Sequence, residues 1–216
     1  MKAITFDLDG VVVYTDGYHY QGWKRLSDEQ GWAFDESLND QLRGVSRLAS
    51  LQVILDHNGI SLGDSEKELL ANRKNSYYVE LLQQIDHSAE VPGAVDFIRA
   101  ARDWGLRIAL GSSSRNADFV LSALGIDSLF DAVVTGNDIT RSKPDPQVFL
   151  IAAEQLGLPP QECVVFEDAV SGVQAAQSAG CPAVGFGPTE GLEIADLCIP
   201  DFSSFDWPAF FRGEML

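Results

Sequence analysis

Lys2-Ala3-Ile4-Thr5-Phe6-Asp7-Leu8-Asp9-Gly10-Val11-Val12-Val13 opens the chain, and the reading of this stretch decides the fold. Lys2 to Phe6 has the short apolar run of a buried β-strand, and the strand ends in Asp7-Leu8-Asp9. On extended backbone, residues i and i+2 face the same way. Asp7 and Asp9 therefore share one side and Leu8 takes the other.

Downstream the chain repeats a pattern of helix, glycine, strand. A helical pattern from about Gly93 to Trp104 stops at Gly105, before Leu106 to Leu110. Another from Ala117 to Leu124 stops at Gly125, before Ala132 to Val134. Two more stop at Gly157 and Gly180, before Cys163 to Phe166 and Ala183 to Phe186. Glycine just past a helix supplies a left-handed cap. Short apolar strands alternating with helices predict an α/β fold with a Rossmann-like parallel sheet covered on both faces. Residues 16–88 break the rhythm, with at least three helical patterns and no clear strand. Leu70, Tyr77, Tyr78, Leu81, Leu82 and Ile85 keep near-helical spacing, and Ser65-x-x-Glu68 reads as a capping box. The expected organisation is a core of residues 1–15 and 89–216, interrupted after its first strand by a helical cap domain of residues 16–88. Gly10 and Tyr14 to Gly17 would hold one hinge, and Ser88 to Gly93 the other.

Composition bounds the partners. The formal net charge is −17 over 216 residues, which disfavours nucleic acid and anionic membrane surfaces. A phosphate bound by such a chain must be held locally, by a metal, a few Lys/Arg or backbone N–H groups. Cys163, Cys181 and Cys198 match no zinc spacing and read as small core residues of a reducing compartment. No signal peptide or membrane span is read, so the expectation is a cytoplasmic protein, with monomer as the default.

Ligands of open parallel sheets bind at the carboxyl ends of the strands. Here those ends carry Asp7 and Asp9, then Ser112-Ser113-Ser114-Arg115-Asn116, then Ser142-Lys143-Pro144-Asp145, then Glu167-Asp168. One carboxylate of the first pair can attack a phosphoryl group or bind metal while the other shuttles a proton. Glu167 and Asp168 would complete an oxygen-rich Mg2+ site with Asp7 and Asp9. Lys143 and the hydroxyl and backbone N–H of Ser112 are donors for the transferring group. Taken singly, each motif also has an ordinary meaning: solvated acids, a serine turn, a charged helix start, loop punctuation. Their coincidence at four strand ends favours a site.

Phe6-Asp7-Leu8-Asp9-Gly10-Val11, the Ser112 turn, Ser142-Lys143-Pro144-Asp145-Pro146 and Phe166-Glu167-Asp168 resemble the four ordered motifs of the haloacid dehalogenase superfamily. The resemblance covers nearly the whole chain. It implies Asp7 as nucleophile and Asp9 as general acid/base, with Mg2+ held by Asp7, the Asp9 backbone carbonyl and Asp168, and Glu167 nearby. The helical segment is similar to the caps of the sugar-phosphate mutases in that superfamily. Leu42-Arg43-Gly44-Val45-Ser46-Arg47 with Ser50-Leu51-Gln52, His19 and Trp23, and Arg73-Lys74-Asn75 carry this second likeness. It implies a sugar-phosphate substrate contacted by His19, Trp23, Gly44, Val45, Arg47, Leu51 and Lys74. Ser113, Ser114, Arg115 and Asn116 resemble the turn that holds a second, non-transferring phosphate. The implied reaction converts β-glucose 1-phosphate to glucose 6-phosphate through β-glucose 1,6-bisphosphate.

Ordinary roles remain open at these positions. Arg47 also reads as a solvated surface residue, His19 as a helix residue bonding a neighbour, and Trp23 as cap core. The sequence departs from the family at Tyr14, where an acid is usual; Asp16 stands two residues later. The alternative functions are a sugar-phosphate phosphatase on the same scaffold, a phosphonate hydrolase using Lys24 or Lys74, and a non-catalytic phosphate-binding module.

Overall fold

The computed structural model describes residues 1–42, 45–188 and 191–215. Strands β1 (Ala3–Phe6), β2 (Arg107–Gly111), β3 (Ala132–Val134), β4 (Cys163–Glu167), β5 (Ala183–Phe186) and β6 (Leu197–Ile199) form one parallel sheet in the order β3-β2-β1-β4-β5-β6. The first strand is central, so the chain reverses its winding direction at β1, where a crevice opens beyond the carboxyl ends. Strand residues alternate between two cores. Ile4, Phe6, Ile108, Leu110, Val164 and Phe166 pack on one face, whereas Ala3, Ala109, Cys163 and Val165 pack on the other. Parallel pairing, with both faces buried, accounts for the unbroken apolar character of the strands.

Helices α5 (Ala94–Asp103), α6 (Ala117–Ala123), α7 (Gln147–Leu156) and α8 (Val170–Ala179) connect and cover the strands. Gly105, Gly125, Gly157 and Gly180 all have positive φ at or just after helix ends, as the rhythm of the sequence predicts. The edge strand β6 was not foreseen. It has three residues, two of them half-buried, too few to show a period. A C-terminal helix, given below as α9 (Trp207–Phe211), closes an aromatic cluster in which Phe97 meets Phe202, Phe205, Phe210 and Phe211.

Among the described residues between β1 and α5 lie four α-helices: α1 (Asp16–Gln30), α2 (Glu36–Asp40), α3 (Arg47–His57) and α4 (Asp64–Leu82). They share a core of their own that includes Trp23, Leu26, Leu51, Ile54 and Leu55. The start of α4 differs from expectation. Gly63 is the N-cap and its N–H donates to the Glu66 carboxylate at 3.1 Å. Ser65 and Glu68 therefore form no capping box, because Asp64 already begins the helix and leaves Ser65 inside the first turn. The two chain crossings into this segment are tied together: Tyr14 N–H donates to Ala89 O at 2.7 Å, and Val91 N–H to Val12 O at 2.9 Å. Among the described residues no helix is long and apolar enough to cross a membrane, and the three cysteines are free thiols.

Candidate active site

The register of the sheet assembles the site. Phe6 pairs with Leu110 on one side and Phe166 on the other. One residue further on stand Asp7 and Glu167, and Asp7 N–H donates to Phe166 O at 3.0 Å. Leu8 turns into the core and is fully buried, which leaves Asp7 and Asp9 to the crevice as the alternation predicts. Lys143, preceding α7, reaches in with a nearly fully buried side chain. It donates to Asp7 Oδ1 at 2.5 Å and also to Glu167 Oε1. The Ala169 N–H donates to the other Glu167 oxygen at 3.1 Å.

Two glycines make room for these carboxylates. Gly10 has φ +82°, and a Cβ there would lie 2.1 Å from Asp168 Oδ2. A Cβ on Gly172, in the first turn of α8, would lie 1.9 Å from the Glu167 carboxyl carbon. Neither position admits a side chain without displacing an acid.

The acids outnumber the base among them. Burial, and then the charge of Asp7, push Asp9 up to about 7, against the Thr15 hydroxyl that donates to its Oδ1. Burial pushes Glu167 up to about 7 although Lys143 opposes it. Asp168 is held well above the usual carboxylate range by burial, Glu167 and Asp7. Burial alone would lower Lys143, but Asp7 and Glu167 hold its ammonium above the ordinary value. Asp7, Glu167 and Asp168 each bring a carboxylate oxygen within 4.8 Å of the others. That hard-oxygen set, with a charge excess that one lysine does not balance, fits a divalent cation such as Mg2+. The Asp9 carboxylate is turned to Thr15 and lies outside this group; its backbone carbonyl is the atom that the resemblance assigns to the ion.

These groups form one wall of a cavity of about 540 Å3. His19, Trp23, Val45, Arg47 and Lys74 from the helical segment line it, with Ser112 to Asn116 from the core. The lining from the helical segment is basic. Burial and then the neighbouring Arg115 lower Arg47. Burial and then Arg47 bring Lys74 down to about 7. Burial, Lys74 and Arg47 hold His19 well below its ordinary value. His19 Nδ1 lies 2.8 Å from Lys74 Nζ, and its ring stacks on Tyr78 at 4.1 Å. Trp23 has both roles considered for it, since it sits in the helical core and also on the cavity wall, with Lys74 Nζ 4.9 Å from its ring.

Two expectations change. Leu51 is fully buried among Trp23, Ile54 and Leu55 and does not line the cavity, because the inward face of α3 packs onto the helical core. The Ser112 N–H donates to Val134 O at 3.0 Å, so sheet pairing removes it as a donor to a ligand. Its hydroxyl accepts from Ser114 N–H at 3.0 Å and keeps its own proton to give. Gly44 and Arg43 lie outside the described residues. Tyr14, at the usually acidic position, is 54% exposed, while Asp16 lines the cavity. Glu68, Asn72 and Asn75 also line it and were not singled out as site residues. Their spacing with Lys74 along α4 was the available signal. Among the described residues Ser113 Oγ is a buried hydroxyl on the cavity wall without a hydrogen-bond partner.

Crevice and carboxylate cluster together define an α/β scaffold with an acidic site at its strand ends, and comparison with known proteins identifies the family. A profile of haloacid dehalogenase-like hydrolases matches residues 1–180. The chain belongs to that family. It is 38% identical over 201 residues to a β-phosphoglucomutase of Bacillus subtilis, covering 92% of this chain and 89% of that one. It is 31% identical over 185 residues to a phosphorylated carbohydrates phosphatase of Thermotoga maritima, covering 83% and 82%. The crystal structure of a β-phosphoglucomutase from Clostridium difficile superposes with a TM-score of 0.92 at 34% identity, over 99% of this chain and 98% of that one.

Proposed function

We propose that the protein is a phosphomutase acting on a small sugar phosphate, interconverting β-glucose 1-phosphate and glucose 6-phosphate. The observation that carries this reading is a pair of guanidinium groups on the cavity that Asp7 lines. Arg115 from the core comes close enough to lower Arg47 on α3, and both line the cavity that the carboxylates also line. A mutase must hold a bisphosphate in two orientations and needs an anion site at each end, and guanidinium groups recognise phosphate bidentately. A simple phosphatase needs one such site. The similarity to two β-phosphoglucomutases supports the same reading.

In the proposed cycle Asp7 starts as the acyl phosphate, primed by the 1,6-bisphosphate; the 6-hydroxyl of β-glucose 1-phosphate gives its proton to Asp9 and takes the phosphoryl group from Asp7, forming the bisphosphate. The bisphosphate turns over in the cavity. An Asp7 oxygen then attacks the phosphorus at C1, the bond to O1 breaks, Asp9 gives O1 the proton, and glucose 6-phosphate leaves with Asp7 phosphorylated again. Lys143 and the Ser112 hydroxyl orient the transferring group. Asp7, Glu167 and Asp168, with the Asp9 carbonyl, would hold Mg2+, which supplies charge neutralisation for the phosphoryl oxygens. Residues 16–88 act as the cap whose closure excludes water.

A sugar-phosphate phosphatase is the second reading, favoured by the Thermotoga maritima relative. Incubation with β-glucose 1-phosphate, a trace of the 1,6-bisphosphate and Mg2+ separates the two. Glucose 6-phosphate should dominate; release of mainly free phosphate makes the protein a phosphatase. Asp7→Asn should abolish both products.

A further inference from the structure

Asn116 begins α6 as its N-cap, yet its side chain makes no capping bond. Asparagine there ordinarily accepts from the N–H two or three residues on. Instead its Nδ2 donates across the cavity to Asn75 Oδ1 on α4, at 2.9 Å. Both residues line the cavity, and Asn75 follows Lys74 directly. The direction of this bond matters. Asn75 has its one side-chain acceptor occupied, and it keeps both amide N–H groups. Asn116 keeps its second N–H. The pair thus leaves amide donors on a cavity that Arg47 and Arg115 also line.

We propose that Asn75 is a binding and positioning residue of the second phosphate site: it orients the Asn116 carboxamide and adds donors of its own from the helical segment. This rests on the mutase reading, in which that site exists. An anion held there joins α4 to the core loop, so the same contact makes phosphate binding favour the closed cap.

The test uses the full chain with Asp7→Asn, which binds without turnover, titrated calorimetrically with β-glucose 1,6-bisphosphate in Mg2+. On that background Asn75→Ala should weaken binding about five- to tenfold, the scale of one or two lost hydrogen bonds. Asn75→Asp is the decisive variant. It keeps the acceptor for Asn116 but faces the anion with a negative charge, so it should bind more weakly than Asn75→Ala. If Asn75→Asp binds as well as the parent, Asn75 only ties two elements together and the inference is overturned. Adding Asn116→Ala to Asn75→Ala should cost less than the sum of the two single losses; strict additivity also overturns the positioning role. A parent that binds the bisphosphate no more tightly than glucose 6-phosphate instead removes the second anion site, and with it the mutase reading.

Discussion

Lys74 is an unusual residue to bury: 2% exposed, with His19 and two aromatic rings as neighbours and, among the described residues, no carboxylate bonded to it. Its folded value of about 7 lies below the ordinary 10.5. Between those values the unfolded chain binds a proton that the folded protein lacks, so stability rises with pH across that window and is flat below it. Urea unfolding of the ligand-free protein should show this. The difference between wild type and Lys74→Met should change by up to about 1.4 kcal/mol per pH unit from pH 7 upward, and parallel curves would refute it. Lys143 poses the opposite case, a buried cation between two carboxylates. Lys143→Met leaves Asp7 and Glu167 buried together and should cost roughly 3–5 kcal/mol. Added Mg2+ should restore more stability to this variant than to wild type. Both lysines stood out in the sequence, one in Ser142-Lys143-Pro144 and the other by resemblance. Their electrostatic state did not, because it depends on burial by distant segments.

At the scale of elements, α8 sits so close to the end of β4 that Gly172 has no room for a methyl group. Gly172→Ala should push Glu167 away from Lys143 and reduce Mg2+ affinity on the order of tenfold or more, as loss of an outer contact to a metal ligand does. Calorimetric Mg2+ titration checks this, and unchanged affinity would mean that α8 simply shifts. Element existence was legible wherever a period or a capping glycine marked it, as in β1 to β5 and α5 to α8. It was not legible for α2, β6 and α9, of five, three and five residues, whose order comes from packing. Leu51 shows the same boundary. Its helix was readable, but which face of α3 meets the helical core and which meets the cavity was not.

For the whole molecule, the concentration of buried acids in a chain of charge −17 makes the ligand-free site a destabilising feature that a cation relieves. Saturating Mg2+ at about 100 times its dissociation constant should add roughly 2.7 kcal/mol, a thermal shift of several degrees for a chain of this size. Asp168→Ala should lose most of that shift, and an equal shift in the variant would place the ion elsewhere. The sequence by itself determined the α/β class, the first strand with its Asp7-x-Asp9 end, the helical segment after it, and the acids and lysine at the strand ends. It did so because periodicity, capping glycines and residue chemistry are local. Only the tertiary structure decided that Ser112 N–H belongs to the sheet, that Asp16 rather than Tyr14 faces the cavity, and that Asn75 meets Asn116. Those outcomes depend on which atoms of separate segments meet, and hydrogen-bond partners are chosen by proximity in space that no local pattern encodes.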